Sequence, residues 1–151
     1  MKGGFKMKIK ECMCNNVIFV HPETTVKDCA KVMSENHIGC TPVCDTDNHL
    51  VGIVTDRDIV LRAVASDKDI CKTPISDIMT CNAFSCNCNS EIDEAEKVMS
   101  AEQIRRIPIV ENNKVIGILT LGDLASDNIT SNSSFCNTIE YIWTSDEKNA
   151  Q

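Results

Sequence analysis

Two threonine–aspartate pairs in this sequence have the spacing of a helix start and the chemistry of a sugar-binding site. Thr55 precedes Asp58 in GIVTDRDI, and Thr120 precedes Asp123 in GILTLGDLA. The threonine hydroxyl and the acidic side chain can cap a helix, which stabilises it by roughly 1 kcal/mol. A carboxylate can equally accept both hydroxyls of a ribose, and the free N–H groups of a helix start attract phosphate. The spacing alone leaves both interpretations open.

Two adjacent arginines form a second candidate group. Arg105 and Arg106 come just before Ile107-Pro108, and their planar forks of N–H donors suit phosphate. Gly39 and Cys40 stand at the matching positions of the first half, so the first half cannot supply the same charge. An exposed strand edge in solvent would also account for the two arginines.

These residues lie at matching places in two similar halves of the sequence. IKECM from Ile9 matches ISDIM from Ile75 at an offset of 66 residues, and VKDCAKVMS matches IDEAEKVMS at the same offset. The offset is 65 from Gly52 to Gly117, because the turn DTDNH is matched by the shorter ENNK. Length changes belong in loops, so the sequence predicts two similar structural units joined by the polar segment 66–74.

Each half has the pattern of a strand, a helix, two strands joined by a hairpin, and a second helix. Thr25 and Asp28 predict a capping box for the first helix. The apolar residues at helical spacing are Val26, Cys29, Ala30 and Met33, with Ile92, Ala95 and Met99 in the second half. Asn112-Asn113 predicts a two-residue hairpin turn, because asparagine tolerates positive φ. The predicted strands are Val17–Val20, Thr41–Cys44, Leu50–Val54, Ala83–Cys86, Ile107–Val110 and Val115–Leu119.

The overall composition excludes several classes of protein. The 151 residues carry a net charge of -7, which disfavours non-specific binding to nucleic acid phosphates. The longest uninterrupted aliphatic or aromatic run, VIFV, is far too short to span a membrane. The basic N-terminus has no apolar segment after it, so it does not have the pattern of a secretory signal. We therefore expect a cytoplasmic protein without nucleic acid or membrane partners.

Ten cysteines raise the question of disulfides or metal. The chain is longer than most disulfide scaffolds, and the close pairs are Cys-x-Cys and Cys-x3-Cys rather than the Cys-x2-Cys typical of zinc sites. Cys29 aligns with Ala95 and Cys44 with Val110, so these cysteines occupy positions that the other half fills with small or apolar residues. A buried free cysteine packs as a small hydrophobe. The sequence thus predicts ten reduced thiols and no metal site, with metal or redox chemistry at some of the cysteines as the alternative.

The repeated unit, which ends in GIVTDRDIVLRAVA and in IRRIPIVENNKVIGILTLGDLA, resembles the CBS domain, named after cystathionine β-synthase. Two copies in register are similar to the small stand-alone bacterial CBS-pair proteins. The resemblance implies an α+β fold of two repeats packed with pseudo-two-fold symmetry in one compact module. The repeats would cover residues 8–66 and 74–128, followed by a C-terminal tail, 129–151, that holds the only tyrosine and the only tryptophan.

The resemblance also implies a function and a site. Such a module binds adenine nucleotides (AMP, ADP or ATP) or related adenosyl ligands in the cleft between its repeats, and reports their level to a partner. It requires no cofactor. Carried over to this sequence, the ligand residues are Thr55, Asp58, Ile38, Gly39, Ile104, Arg105, Arg106, Thr120 and Asp123. We expect the pocket with Thr55 and Asp58 to dominate, with pseudo-symmetry bringing the two arginines to it. Asp123 would serve a second pocket.

Other functions compete with this interpretation. The three histidines show no nucleophile or acid partner at a fixed spacing, so we expect no catalysis. A structural or protein-interaction module with empty pockets is the alternative. The resemblance further implies a homodimer, for which the second helix of the first half supplies an apolar face. That face is Ile59, Val60, Ala63 and Val64. Since no effector domain is fused here, we expect the regulated protein to be a separate, unidentified chain.

Overall fold

The computed structural model describes residues 6–126, which fall into two compact units. The first-repeat unit consists of Ile18–Ala83 with Asn112–Val115. The second-repeat unit consists of the residues up to Val17, of Phe84–Glu111 and of the residues from Ile116 onward. The predicted tail, 129–151, and the last residues predicted for the second repeat lie outside the described residues.

Helix α1 (Val26–Asn36) opens the first-repeat unit at the predicted cap. The Thr25 hydroxyl accepts a hydrogen bond from the Asp28 N–H at 3.1 Å. Only this half of the predicted capping box forms, and the Asp28 carboxylate instead makes an ion pair with Lys31, whose Nζ lies 3.8 Å away. The helix ends at His37, which adopts the left-handed conformation with φ 54°.

Strands β1 (Cys40–Cys44) and β2 (Leu50–Thr55) form the antiparallel hairpin predicted for the first half. Asp45 organises the turn between them, since its Oδ1 accepts hydrogen bonds from the N–H groups of Asp47 and His49, both at 2.9 Å. The predicted strand Val17–Val20 is wrong as a strand. Of these four residues only Val20 bridges a strand: its N–H bonds to the Pro42 carbonyl and its carbonyl accepts from the Cys44 N–H, in a parallel bridge to Val43.

The second helix of the first half departs from the prediction. Helix α2 (Asp56–Asp58) has only three residues, and Ile59–Val64 continues as a π-helix in which the Ala65 N–H bonds to the Val60 carbonyl at 2.9 Å. The wider turn buries Ala63 completely and leaves about half of Val60, Leu61 and Val64 exposed. The predicted apolar face was therefore partly wrong: Ala63 belongs to the core, and Leu61 belongs to the exposed face.

The second repeat of the sequence has a strand, a helix, a hairpin and a final helix. Strands β3 (Cys86–Asn87), β4 (Arg106–Glu111) and β5 (Lys114–Thr120) form a sheet in that order, with β3 parallel to β4. The helices are α3 (Ile92–Glu102) and α4 (Leu121–Ser126). The hairpin turn is confirmed, since Asn112 and Asn113 have φ values of 50° and 64°. The predicted strand Ala83–Cys86 is reduced to β3.

The segment that leads each repeat packs in the core of the other repeat's unit. Ile75 and Ile78 are buried with Val26, Val43 and Val54 in the first-repeat unit. Ile9 is buried in the second-repeat unit, among residues that include Ala95, Met99, Ile107, Ile109 and Leu119. The sequence repeats and the compact units therefore differ: ISDIM begins the second repeat but belongs to the fold of the first.

The cysteines in the described part of the chain are all free thiols. Cys29, Cys40, Cys44, Cys86 and Cys88 are buried. For Cys29 and Cys44 this agrees with the alignment with Ala95 and Val110. Burial raises the pKa of Cys29, Cys44 and Cys86 to about 11, so these thiols stay protonated near neutral pH. The tenth cysteine, Cys136, lies outside the described residues.

Candidate functional site

The helix start at Thr55 is a complete capping box. The Thr55 hydroxyl accepts a hydrogen bond from the Asp58 N–H at 3.1 Å, and the Thr55 N–H donates to Asp58 Oδ2 at 3.0 Å. The interpretation of GIVTDRDI as a helix cap is therefore confirmed. The cap uses one oxygen of the Asp58 carboxylate and leaves the other available for a different contact.

That second oxygen faces a cation without forming a short hydrogen bond. Asp58 Oδ1 lies 3.6 Å from Arg62 Nε, which is an ion pair but longer than an N–H···O hydrogen bond. No other residue between 6 and 126 donates a hydrogen bond to Oδ1. The Asp58 side chain is only 14% exposed. A largely buried carboxylate thus keeps one oxygen able to accept hydrogen bonds from a ligand hydroxyl.

The start of β1 adjoins this helix start. The Gly39 carbonyl accepts a hydrogen bond from the Asp56 N–H at 2.9 Å, and Cys40 is paired with Thr55 in the β1–β2 register. Ile38 is partly buried and packs on the core of the first-repeat unit. The structure therefore brings together four of the predicted ligand residues: Ile38, Gly39, Thr55 and Asp58.

The second-repeat unit repeats the same arrangement. The N–H and the hydroxyl of Thr120 both donate to Asp123 Oδ2 at 2.8 Å, and the Asp123 N–H donates back to the Thr120 hydroxyl at 3.1 Å. The Arg105 carbonyl accepts from the Leu121 N–H at 3.0 Å, the counterpart of the bond between Gly39 and Asp56. Each strand start is thus joined to the helix start of its own repeat.

The predicted wall and phosphate residues of the second repeat lie at this strand start. Ile104 is partly buried and packs on the core of the second-repeat unit, while Arg105 and Arg106 are exposed. The Arg105 carbonyl is bonded to the Leu121 N–H, next to Thr120 in the chain. The assignment of the two arginines to the same ligand as Thr55 and Asp58 stays a prediction.

Sequence reasoning missed Arg62. The signal was present, because an acid and an arginine four residues apart on a helix face each other. The guanidinium contacts the Asp58 carboxylate and also donates through Nη1 to the Ile78 carbonyl at 3.0 Å and to the Thr80 hydroxyl at 3.2 Å.

Two of the three histidines in residues 6–126 take part in local structure, and metal-ligating side chains are not grouped there. No three side chains of the metal-ligating types are grouped within residues 6–126. His21 Nδ1 is within hydrogen-bonding distance of the Cys44 carbonyl, at 2.9 Å, and His49 Nδ1 lies 3.3 Å from Asp45 Oδ2. Both rings are thus engaged in local structure.

No helix in the described part of the chain has the length and the apolar character needed to cross a membrane.

Comparison with known proteins identifies the repeated unit. The family described as "CBS domain" matches residues 9–65 and again residues 75–127.

Related proteins cover most of this chain. The CBS domain-containing protein YhcV of Bacillus subtilis is 37% identical over 126 residues, which are 83% of this chain and 89% of YhcV. Hypoxic response protein 1 of Mycobacterium tuberculosis is 31% identical, over 77% of this chain and 81% of its own length. Inosine-5′-monophosphate dehydrogenase of Methanocaldococcus jannaschii is 36% identical over 78% of this chain, but the match spans only 23% of that enzyme.

Two solved structures share the fold and bear on the site. Hypoxic Response Protein I with two coordinated zinc ions has a TM-score of 0.75 and 30% identity, covering 80% of this chain and 98% of its own. The CBS domain pair of protein MJ0100, in complex with 5′-methylthioadenosine and S-adenosyl-L-methionine, has a TM-score of 0.71 and 28% identity, covering 80% and 94%. The fold prediction, an α+β pair of CBS repeats, is confirmed.

Proposed function

Because this chain belongs to the CBS domain family as a tandem pair, we propose that it is a regulatory module that binds an adenosyl ligand through Asp58. The observation that carries the proposal is the state of the Asp58 carboxylate. It is mostly buried and held by the helix cap through Oδ2, while Oδ1 has only the longer ion pair with Arg62, which supports Oδ1 as an acceptor for a ligand hydroxyl.

The chemistry of the site favours a ribose. A fixed carboxylate accepts hydrogen bonds and donates none, so it favours ligand groups that can donate, such as hydroxyls, over groups that can only accept. Ribose offers two adjacent hydroxyls, and every adenosyl ligand contains this sugar. Ile38 offers an apolar surface beside the helix start, suitable for one face of the adenine ring. Thr120 and Asp123 repeat this arrangement, and we propose them as a second, weaker site.

The identity of the ligand rests on both chemistry and similarity. The similar CBS pair of protein MJ0100 is in complex with 5′-methylthioadenosine and S-adenosyl-L-methionine, both of which contain adenosine. Arg105 and Arg106 are exposed cations near the start of β4, and they favour a ligand that carries phosphate. We therefore propose AMP, ADP or ATP as ligands, with S-adenosylmethionine as the main competitor.

The proposed role is non-catalytic. His21 and His49 serve the local structure, and the similarity to inosine-5′-monophosphate dehydrogenase spans less than a quarter of that enzyme. The module would report ligand occupancy to a separate protein and act as a homodimer. Its exposed apolar face, Val60, Leu61 and Val64, offers the surface for self-association.

A thermal-shift screen tests ligand binding directly. A ligand that binds only the folded state raises the free energy of unfolding by about 2.7 kcal/mol at 100 times its Kd. We expect a rise in melting temperature with AMP, ADP, ATP or S-adenosylmethionine. 2′-Deoxy-AMP, which lacks one ribose hydroxyl, should give a smaller shift. If none of these ligands shifts the melting temperature at millimolar concentration, the chain is a structural module with empty pockets.

A further inference from the structure

We propose that Arg62 is a positioning residue that couples ligand binding at Asp58 to the segment Ile75–Thr80, which leads into the second repeat. This inference rests on the proposed function, because it concerns how occupancy of that site is transmitted. It concerns only residues within the first-repeat unit.

One guanidinium joins the carboxylate to the segment. Arg62 Nε lies 3.6 Å from Asp58 Oδ1, while Nη1 donates to the Ile78 carbonyl at 3.0 Å and to the Thr80 hydroxyl at 3.2 Å. These two bonds tie the orientation of Arg62 to the Ile78 carbonyl and to the Thr80 side chain. The Asp58 carboxylate therefore faces a cation whose place is set by residues that belong to the second sequence repeat.

The segment is itself part of the fold around the site. Ile75 and Ile78 are buried in the first-repeat core. Thr80 and Ile53 exchange two backbone hydrogen bonds, at 2.8 and 3.0 Å, so the segment is bonded to β2 two residues before Thr55. Because of these bonds, a change in the order of this segment also changes the order of β2, which ends at the helix start at Thr55.

The choice of arginine fits this role. Its planar group can face a carboxylate and donate to two acceptors at the same time, which the single ammonium of lysine cannot do in the same geometry. At the offset of 65 residues, the second repeat has Asp127 at the matching position. At this position of the sequence the arginine is thus specific to the first repeat.

The physical consequence is reciprocal coupling. A ligand hydroxyl bound to Oδ1 fixes the carboxylate that Arg62 faces, and a fixed carboxylate restricts Arg62 and the segment it holds. Linkage requires that an ordered segment strengthen ligand binding by the same factor as ligand binding orders the segment. Occupancy at Asp58 is thus reported to the chain that enters the second repeat.

Hydrogen exchange and titration calorimetry on the full chain, with AMP as the probe, test this coupling. In wild type, we expect AMP to slow exchange of the Ile53 and Thr80 amides. Arg62→Lys keeps the positive charge but loses the planar set of N–H donors. Its affinity for AMP should fall roughly fivefold, and AMP should no longer slow amide exchange at Ile53 and Thr80. Thr80→Val removes one acceptor of Arg62 without touching Asp58, and should reduce both effects. Lys68→Ala, which removes an exposed charge nearby, should leave both effects unchanged.

The outcomes separate this inference from the proposed function. If wild type binds AMP but Arg62→Lys and Thr80→Val bind equally well and still show slowed exchange, Arg62 plays no part in coupling. If wild type does not bind any of the adenosyl probes, the proposed function fails and the coupling fails with it. Should Arg62→Lys not fold, Thr80→Val alone decides, because its substitution is exposed and keeps the shape of the side chain.

Discussion

The backbone carbonyl of Cys14 lies so close to Gly117 that a β-carbon on this glycine would stand 2.8 Å from its oxygen. A contact under 3.0 Å with backbone cannot be relieved by a rotamer change. Gly117 does not have positive φ, so glycine is required here because there is no room for a β-carbon, and not because of the backbone conformation. Gly52 has the equivalent relationship to Met79 and the Thr80 carbonyl.

Replacing Gly117 with alanine should therefore destabilise the protein by about 1–3 kcal/mol, the usual cost of overpacking. Gly122→Ala is the matched control, because its β-carbon would meet only the Thr120 hydroxyl at an ordinary 3.5 Å. That change lies in α4 and should be neutral or stabilise by up to about 1 kcal/mol. Urea unfolding measures both. Equal stability of the two variants would show that the segment around Cys14 does not pack on β5.

The buried thiols predict a loss of stability at alkaline pH. Burial raises the pKa of Cys29, Cys44 and Cys86 to about 11, above the value of about 8.5 for a thiol in an unfolded chain. Between these values the unfolded chain releases protons that the folded chain keeps, so the free energy of unfolding falls as pH rises from about 9 to 11. This contribution is fully present below pH 8.

Cys29→Ala isolates the effect, since Ala95 fills the same position in the second repeat. Its free energy of unfolding should depend less steeply on pH between 9 and 11 than that of wild type. Lysines and the tyrosine titrate in both proteins and cancel in the comparison. The same slope for both proteins would mean that Cys29 is not shielded from solvent.

Self-association should depend on the exposed face of the π-helix. Val60, Leu61 and Val64 are each about half exposed, and apolar side chains grouped in this way mark interaction surfaces. We expect light scattering to give twice the chain mass of 16.7 kDa, and Leu61→Glu to give a single chain. Ile70→Glu is the control, because Ile70 is an exposed apolar residue outside this face. A wild-type monomer at micromolar concentration would refute the dimer.

If Arg105 and Arg106 meet phosphate, AMP should bind at least tenfold more tightly than adenosine, because a charge-assisted hydrogen bond contributes roughly 1.5–3 kcal/mol. Replacing both arginines with glutamine should remove most of this difference, whereas Lys97→Gln on α3 should not. Calorimetric titrations with AMP and with adenosine measure this difference in affinity. Equal affinities of wild type for adenosine and AMP would exclude the arginines from the site.

A double-mutant cycle tests whether the ligand that contacts Arg105 and Arg106 is held by Asp58 or by Asp123. If the assignment made from the sequence holds, the double arginine variant should couple to Asp58→Asn more strongly than to Asp123→Asn, because residues that hold the same ligand act non-additively. Stronger coupling to Asp123 would assign the arginines to the second site.

The sequence predicted the hairpins, both long helices and the helix starts, because local rules govern them. Asn112-Asn113 sets its own turn, and Thr55 sets its own cap. The sequence could not predict that Ile9, from the first repeat, packs in the second-repeat unit, or that Ile75, from the second repeat, packs in the first-repeat unit. An apolar pattern shows which face of an element is buried but not which residues cover it. The contacts of Arg62 also depend on tertiary packing, because its partners, the Ile78 carbonyl and the Thr80 hydroxyl, lie 16 and 18 residues further along the chain.

The variant Asp58→Asn separates the two roles of Asp58. Asparagine keeps one acceptor oxygen for the Thr55 N–H, so the cap survives with a loss of a few tenths to about 1 kcal/mol from the missing charge. As a ribose ligand it loses the charge and the second acceptor. Binding should weaken by about 1.5 kcal/mol or more, which is tenfold in affinity. Asp123→Asn makes the same change at the matching position and should affect AMP binding less.

The most direct test of the account is calorimetric titration of AMP into wild type, Asp58→Asn and Asp123→Asn, with the melting temperature of each free protein measured beside it. The account predicts that Asp58→Asn stays folded with a slightly lower melting temperature and binds AMP at least tenfold more weakly than wild type. An Asp58→Asn protein that binds AMP as tightly as wild type would contradict it, and would leave GIVTDRDI as a helix start alone.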